Sequence, residues 1–245
     1  MAEPAPLPPA YYATKAGGWR QWWTILHPPY TAWHLAYVAI GAALAPRVAL
    51  TPLLAALGAF LLAVGIAAHA IDELHGRPLR TTLPAPALGL AAGLSLAGAA
   101  ALGALGVARD GWVLLPFLAA GPLLVIGYNA EPFGERLHND TVFALAWGAF
   151  PVLTAYVAEA RTLRLAPLLA AMGAVALSLA QRRLSDAARS IRRRTLRVVG
   201  TIHLVDGSSR PLDETALLQP AERALRALSW GIVLLAAALT TARLT

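Results

Sequence analysis

Residues 51–80 read TPLLAALGAFLLAVGIAAHAIDELHGRPLR. The first part is an apolar run long enough to cross a bilayer, which takes roughly 20 residues of helix. The run ends in two acids, two histidines and two arginines within residues 69–80. Ionisable groups at membrane depth are costly, and they usually face a cavity or a partner where they carry function. This stretch therefore predicts a membrane-spanning helix with a functional site at its end.

The composition of the whole chain also indicates a membrane protein. Its 245 residues are 58% hydrophobic and 13% charged, whereas soluble domains carry about 25% charged residues. The absence of cysteine excludes disulfides, iron–sulfur clusters and thiolate zinc sites. The first 20 residues hold no apolar run, so we expect no cleavable signal peptide. We interpret the net charge of +7 as membrane topology and not as nucleic-acid binding.

The apolar blocks predict seven spans and an all-α fold, a polytopic membrane helical bundle. The spans fall at about 30–46, 51–72, 84–108, 112–130, 141–159, 165–184 (continuing as a charged helix to about 197) and 224–242. We predict a Pro-rich tail and interfacial segment at 1–29, a six-helix transmembrane domain at 30–197, and a cytoplasmic linker with the last span at 198–245. In the linker, Asp206-Gly207 predicts a hairpin turn, and Pro220 is expected to open the last helix.

The basic residues predict the orientation of the spans. With a cytoplasmic N-terminus, fifteen of the twenty Lys and Arg residues fall on the inside and five on the outside. Lys and Arg collect in cytoplasmic loops. We therefore predict an integral protein of a prokaryotic-type plasma membrane, with its N-terminus in the cytoplasm and its C-terminus outside.

This orientation puts three polar clusters on the cytoplasmic side. They are residues 69–80, 128–140 and 181–194. In the first cluster, His69, Asp72 and Glu73 share one face of a helix because they are spaced three and four residues apart. In the second, Tyr128 and Asn129 lie nearer the membrane than the acids that follow, which are typical of a solvated loop. If the helix ends meet, the clusters form one polar pocket open to the cytoplasm.

The third cluster has two interpretations. Arg182, Asp186, Arg189 and Arg193 form one stripe along a helix. The stripe is either a positive-inside anchor with an internal Arg182–Asp186 ion pair, or a cradle for an anionic headgroup. The second interpretation follows from the ability of guanidinium groups to bind phosphate oxygens in pairs.

Aromatic side chains in the first and fifth spans also allow two interpretations. They are Trp33, His34, Trp147 and Tyr156. Such residues most often pack helices together. They could instead line an apolar tunnel, where their faces attract a cation.

The arrangement of these motifs resembles the UbiA superfamily of intramembrane prenyltransferases. His27-Pro28-Pro29-Tyr30-Thr31 resembles the start of that family's first helix. The cluster at 69–80 takes the place of its first Asp-rich motif, and Asp186 takes the place of its second. Residues 128–133 and 143–151 resemble its Tyr-rich loop and the helix that follows.

The resemblance covers about residues 28–194 and implies a UbiA-like fold and activity. In that family two Asp-rich motifs hold Mg²⁺ on the diphosphate of a polyprenyl donor, and an acceptor, often an aromatic ring, captures the allylic carbocation. It implies that this chain transfers a prenyl group from an isoprenoid diphosphate to a lipid or aromatic acceptor. The implied residues are His69, Asp72 and Glu73 for catalysis, Asp72, Glu73 and Asp186 for Mg²⁺, and Arg77, Arg80, Arg182, Arg189, Tyr128 and Asn129 for the diphosphate.

The chain departs from the family pattern in ways that leave two alternatives open. His69 stands where the first motif has an aspartate, the second motif keeps Asp186 as its single acid, and about seven spans replace nine. One alternative is a non-catalytic relative that binds or moves an isoprenoid or quinone-type lipid through its arginines. The other is a transition-metal site formed by His69, Asp72, Glu73 and His75, with His138 or Glu131 as a further ligand, because imidazole suits Fe or Zn.

Overall fold

A computed structural model describes residues 7–15 and 17–245, apart from the side chains of Phe133 and Glu135. Residues 1–6 and Ala16 of the predicted tail lie outside the described residues. The described chain forms eight helices: α1 (Gln21–Leu26), α2 (Pro28–Ala43), α3 (Leu50–Leu74), α4 (Ala85–Asp110), α5 (Trp112–Asn129), α6 (Asp140–Ala160), α7 (Leu165–Arg194) and α8 (Glu214–Leu244). The short strands are β1 (Pro132–Glu135), β2 (Gly200–His203) and β3 (Ser209–Leu212).

Six of these helices, α3 to α8, are long and apolar enough to cross a membrane. The predicted all-α polytopic membrane bundle is thereby confirmed. The predicted first span is the 16-residue helix α2, about 24 Å long at 1.5 Å per residue. It packs between α6 and α8 at the centre of the bundle, and it buries Trp33, Tyr37 and Val38 almost completely.

Glycines bring α6 into backbone contact with its neighbours. A Cβ atom on Gly41 of α2 would lie 2.2 Å from the carbonyl oxygen of Val152. A Cβ atom on Gly148 of α6 would lie 2.8 Å from the carbonyl oxygen of Ala174 on α7. Small residues of this kind let membrane helices approach closely. Helix α6 is therefore fixed between α2 and α7.

The short helix α1 is bound to the loop that follows α3. Gln21 Nε2 donates to Thr82 Oγ1 at 3.1 Å, and the Thr82 N–H donates to Gln21 Oε1 at 2.7 Å. Ile25 packs in a buried cluster with Leu79. On the other side Trp19, within the segment predicted to be interfacial, is 78% exposed.

The polar segment between α7 and α8 contains a β-hairpin. Strands β2 and β3 pair antiparallel, from Gly200 with Leu212 to His203 with Ser209. The turn between them includes Gly207 in the left-handed region, with φ +84. The prediction of a hairpin turn at Asp206-Gly207 is confirmed.

Helix α8 begins earlier than the sequence pattern predicts. It starts at Glu214, and the carboxylate of Asp213 caps it by accepting from the Ala216 N–H at 2.8 Å. Pro220 lies inside the helix, so the prediction that it opens the helix is wrong. An aspartate N-cap satisfies a free N–H of the first turn, which outweighs the preference of proline for that turn.

Candidate functional site

A cavity of about 480 Å³ lies at the end of the bundle where α3, α5 and α7 end and α2, α6 and α8 begin. Side chains from all three predicted polar clusters line it. The predicted site residues among them are His69, Asp72, Tyr128, Asn129, Arg182, Asp186 and Arg189. The predicted meeting of these helix ends is therefore present in the structure.

Glu73 is buried and bound by three internal hydrogen bonds. Its side chain is 0% exposed. Oε2 accepts from the Leu79 N–H at 2.9 Å, and Oε1 accepts from the Thr81 N–H at 2.9 Å and from Thr81 Oγ1 at 2.8 Å. Three of its roughly four acceptor positions are taken, and Glu73 is not among the residues that line the cavity. The prediction of Glu73 as a catalytic and metal-binding residue is corrected to a structural role, holding the loop after α3.

Arg77 and Arg80 belong to the same loop and lie away from the cavity. Arg77 Nη1 donates to the carbonyl oxygens of Thr81 and Leu83, at 3.2 and 2.6 Å. Arg80 is exposed. Both arginines have φ +54, so the chain turns sharply at each of them. Their predicted role as diphosphate ligands is corrected, because the turns direct Arg77 into the loop and leave Arg80 in solvent.

Arg182 joins three helices at the wall of the cavity. Its Nε donates to Asp140 Oδ1 at 2.5 Å, and its Nη1 donates to the hydroxyl of Tyr128. The guanidinium carbon lies 5.0 Å from the ring centroid of Phe143. Asp186, the partner predicted from helical spacing, pairs instead with Arg189. The predicted Arg182–Asp186 ion pair is therefore wrong.

Three histidines of the cavity share one tautomer. Their Nδ1 atoms face carbonyl oxygens: His34 faces Trp147 at 2.9 Å, His69 faces Gly65 at 3.1 Å and His138 faces Tyr128 at 3.2 Å. A carbonyl oxygen only accepts, so Nδ1 carries the proton in each neutral ring. The Nε2 lone pair of each ring is left for another donor.

The metal-ligating side chains at the cavity are too few for the magnesium site that the resemblance implies. Among the described residues, no group of three or more His, Cys, Asp or Glu side chains is placed to hold a metal ion. Of the three predicted magnesium ligands, all within the described residues, Glu73 is bound within the loop and Asp186 is paired with Arg189, which leaves Asp72 as the one with an unpaired carboxylate at the cavity. One carboxylate does not supply two metal-binding motifs, and the transition-metal site of residues 69–75 is equally incomplete.

The sequence reasoning missed the N-terminal segment. Pro9, Ala10, Tyr11 and Tyr12 line the cavity. Arg192 and Arg193 of α7 hold this segment by donating to the carbonyl oxygens of Pro8 and Pro9, at 3.2 Å each. A Pro-rich stretch carries no helical or strand period, so no pattern in the sequence placed it at the site. The segment forms one wall of the cavity together with the end of α7.

His27 lies directly before α2 and contacts the N-terminal segment. Its φ of +47 separates α1 from α2, which begins with two prolines. Its Nδ1 lies 2.6 Å from the hydroxyl of Tyr12, and its ring stacks on that of His69 with 4.2 Å between centroids. Burial lowers the pKa of His27 well below its ordinary value, and the neighbouring His69 and Arg193 lower it further.

We therefore expect the protein to lose stability as the pH falls below about 6.5, the ordinary pKa of histidine. His27 is neutral in the folded state, so the unfolded state binds the extra proton and unfolding is favoured at low pH. One such group changes the free energy of unfolding by at most about 1.4 kcal/mol per pH unit. Thermal unfolding in detergent should show this slope, and His27→Gln should reduce it. An unchanged slope in His27→Gln would contradict the assignment.

A second, apolar groove of about 380 Å³ lies between α3, α4, α5 and α6. It shares Val64 and Trp147 with the polar cavity, so these two side chains border both spaces. Of the other aromatic residues predicted to pack or to line a tunnel, His34 lines the polar cavity. Trp33 and Tyr156 are each 1% exposed and pack within the bundle.

Comparisons of the chain with protein-family models, with curated proteins and with solved structures found no match. The resemblance to the UbiA superfamily stays a prediction that rests on the motifs quoted above. A fold alone does not determine an activity, so the function is argued from the chemistry of the site.

Proposed function

We propose that the protein is a UbiA-like prenyltransferase, which binds an isoprenoid diphosphate within the membrane and transfers its prenyl group to a lipid or aromatic acceptor. The observation that supports this most strongly is an arginine-lined cavity beside an apolar groove, with Val64 and Trp147 lining both. An isoprenoid diphosphate has the same two parts, a compact anionic headgroup and a long apolar chain. The headgroup would lie among the arginines and the chain along the groove.

The arginines suit both binding and departure of the diphosphate. The cavity is lined by Arg182, Arg189, Arg192, Arg193 and Arg194. Guanidinium groups bind phosphate oxygens in pairs. Donors that are already in place also stabilise the charge that develops on a leaving group. These residues would therefore hold the donor substrate and favour cleavage of its bond to the prenyl carbon.

Aromatic rings surround the place where that bond would lie. The ring of Tyr128 is 5.8 Å from Trp147 and 6.0 Å from Phe143, centroid to centroid. Aromatic faces attract a cation, so these rings would stabilise the allylic carbocation. The acceptor would reach the carbocation from the side of the polar cavity.

The internal hydrogen bonds and ion pairs of the acids favour a second function. Glu73 holds a loop and Asp186 is paired with Arg189, while the arginines of the cavity remain. A site of this kind is suited to bind or move an isoprenoid or quinone-type lipid without cleaving it. The test is incubation of the purified protein in nanodiscs with farnesyl diphosphate and a phenol as aromatic acceptor, with release of pyrophosphate as the readout. Tight binding without release above that of empty nanodiscs would favour the second function.

We also propose that the cavity opens to the cytoplasm of a prokaryotic-type cell, with the N-terminus inside and the C-terminus outside. The excess of arginine at the cavity end of the bundle supports this orientation. Because the chain has no cysteine, single cysteines at the exposed positions Lys15 and Arg243 would report the side of each by labelling with a membrane-impermeant reagent. Labelling of Arg243→Cys from outside intact cells and of Lys15→Cys only after lysis is the expected result.

Filling the apolar groove should separate binding of the chain from binding of the headgroup. Ala63 lines the groove, and Ala63→Trp would occupy the path of the isoprenoid chain. We expect the affinity for farnesyl diphosphate to fall about tenfold or more, since several buried methylene groups each contribute about 0.8 kcal/mol. The affinity for inorganic pyrophosphate should not change. Both are measured by titration calorimetry.

The matched control is Leu61→Trp, on the same helix but outside the groove and 36% exposed. It should leave both affinities unchanged. Equal affinity for farnesyl diphosphate in Ala63→Trp and Leu61→Trp would show that the chain does not lie in the groove.

A further inference from the structure

We propose that the diphosphate is held here by guanidinium groups without a magnesium ion. This inference rests on the proposed function, in that the ligand carries a diphosphate. It departs from the two-motif magnesium chemistry that the UbiA resemblance implies. The acids and arginines at the cavity support it by the partners that they already have.

Asp186 acts as the counter-ion of an arginine. Its Oδ1 accepts from Arg189 Nη2, and Arg189 Nη1 donates to Ser185 Oγ at 2.7 Å. A magnesium ion on Asp186 would lie against the guanidinium of Arg189, where like charges repel. The carboxylate that takes the place of the second Asp-rich motif is thus already neutralised by the protein.

The other acids of the cavity wall are also engaged, except Asp72. Glu222 accepts from Arg192 Nε at 2.6 Å, and Glu131 lies 2.8 Å from His138 Nδ1. Among the described residues, neither a salt bridge nor a hydrogen bond engages the carboxylate of Asp72. Within the described chain, three of the five lining arginines are paired with acids and two are not, so one unpaired carboxylate remains beside two unpaired arginines and the wall is short of metal ligands.

Two of those arginines are not neutralised by a salt bridge, so their positive charges can balance the negative charge of a ligand. In the part of the chain that the structure describes, Arg193 and Arg194 form no salt bridge, and Arg193 Nε donates to the carbonyl oxygen of Pro9. A carbonyl holds the side chain at the wall without neutralising it. The remaining N–H groups of Arg193 can bind phosphate oxygens in pairs. A magnesium ion would compete with them for the same oxygens.

The experiment is calorimetric titration of the full chain in detergent with inorganic pyrophosphate, once with EDTA and once with Mg²⁺. We expect binding in EDTA and weaker binding in Mg²⁺. Asp186→Asn should bind pyrophosphate about two- to fivefold more tightly, the effect of freeing an arginine from a half-exposed ion pair. Arg193→Gln should bind about tenfold more weakly, which corresponds to one charge-assisted bond. Arg210→Gln, in β3 and outside the cavity, is the matched control and should bind like the parent.

Binding that requires Mg²⁺ and weakens in Asp186→Asn would overturn the inference, since it would make Asp186 a metal ligand. If pyrophosphate alone binds too weakly to measure, farnesyl diphosphate is titrated under the same two conditions. Binding of farnesyl diphosphate only with Mg²⁺ overturns the inference and leaves the proposed function in place. Failure of farnesyl diphosphate to bind under either condition overturns the proposed function itself.

Discussion

Gly41→Ala is expected to destabilise the protein, although alanine ordinarily favours a helix over glycine by about 0.5–1 kcal/mol. The added Cβ would lie 2.2 Å from the carbonyl oxygen and 2.9 Å from the carbonyl carbon of Val152. These are backbone atoms, so α2 and α6 must separate to accommodate it. Overpacking of this kind costs about 1–3 kcal/mol and sometimes more, and we expect about 3 kcal/mol. The melting temperature in detergent should fall by roughly 6–12 °C.

The matched control is Gly173→Ala on α7, where an added Cβ would meet no atom within 4 Å. It should leave the melting temperature unchanged or raise it slightly. Gly41→Ala should also weaken binding of pyrophosphate, because the contact of His34 with the Trp147 carbonyl, 2.9 Å long, bridges the same two helices. A melting temperature of Gly41→Ala equal to that of Gly173→Ala would show that α2 and α6 are not in backbone contact.

The sequence predicted the spanning helices well because hydrophobic length and composition decide whether a helix crosses a bilayer. It failed at points where a local contact decides the structure. Asp213 caps α8 seven residues before Pro220, and a capping hydrogen bond is not visible in a hydropathy pattern. Helix α2 is shorter than its predicted span, and its burial depends on neighbours that the sequence does not place beside it.

The location of the site followed from the orientation of the helices, since alternate helix ends share one side of a bundle. The roles of single residues did not follow. Helical spacing paired Arg182 with Asp186, but α6 brings Asp140 to Arg182 from 42 positions away in the chain. Spacing also placed Glu73 on the same face as Asp72, and the sharp turns of the following loop then brought three donors to Glu73.

Glu73→Gln and Asp72→Asn are expected to act on different properties, although the residues are adjacent and the substitutions have the same size. In Glu73→Gln an NH₂ group replaces one carboxylate oxygen and faces an N–H donor, of either Leu79 or Thr81. A buried donor left without its charged acceptor costs about 1–3 kcal/mol or more, and we expect about 3 kcal/mol. The melting temperature should fall by roughly 6–12 °C. In Asp72→Asn it should stay the same, since the carboxylate of Asp72 faces the cavity.

Proteolysis provides a second readout of the same difference. The loop that Glu73 holds contains Arg77 and Arg80, and Gln21 attaches α1 to it through Thr82. Release of the loop in Glu73→Gln should make these arginines accessible to trypsin earlier than in the parent, while Asp72→Asn should be cleaved at the parent rate. If Glu73 were instead a metal ligand, Glu73→Gln would keep the stability of the parent and change only the response to Mg²⁺. The melting temperature therefore decides between the two roles without any knowledge of the substrate.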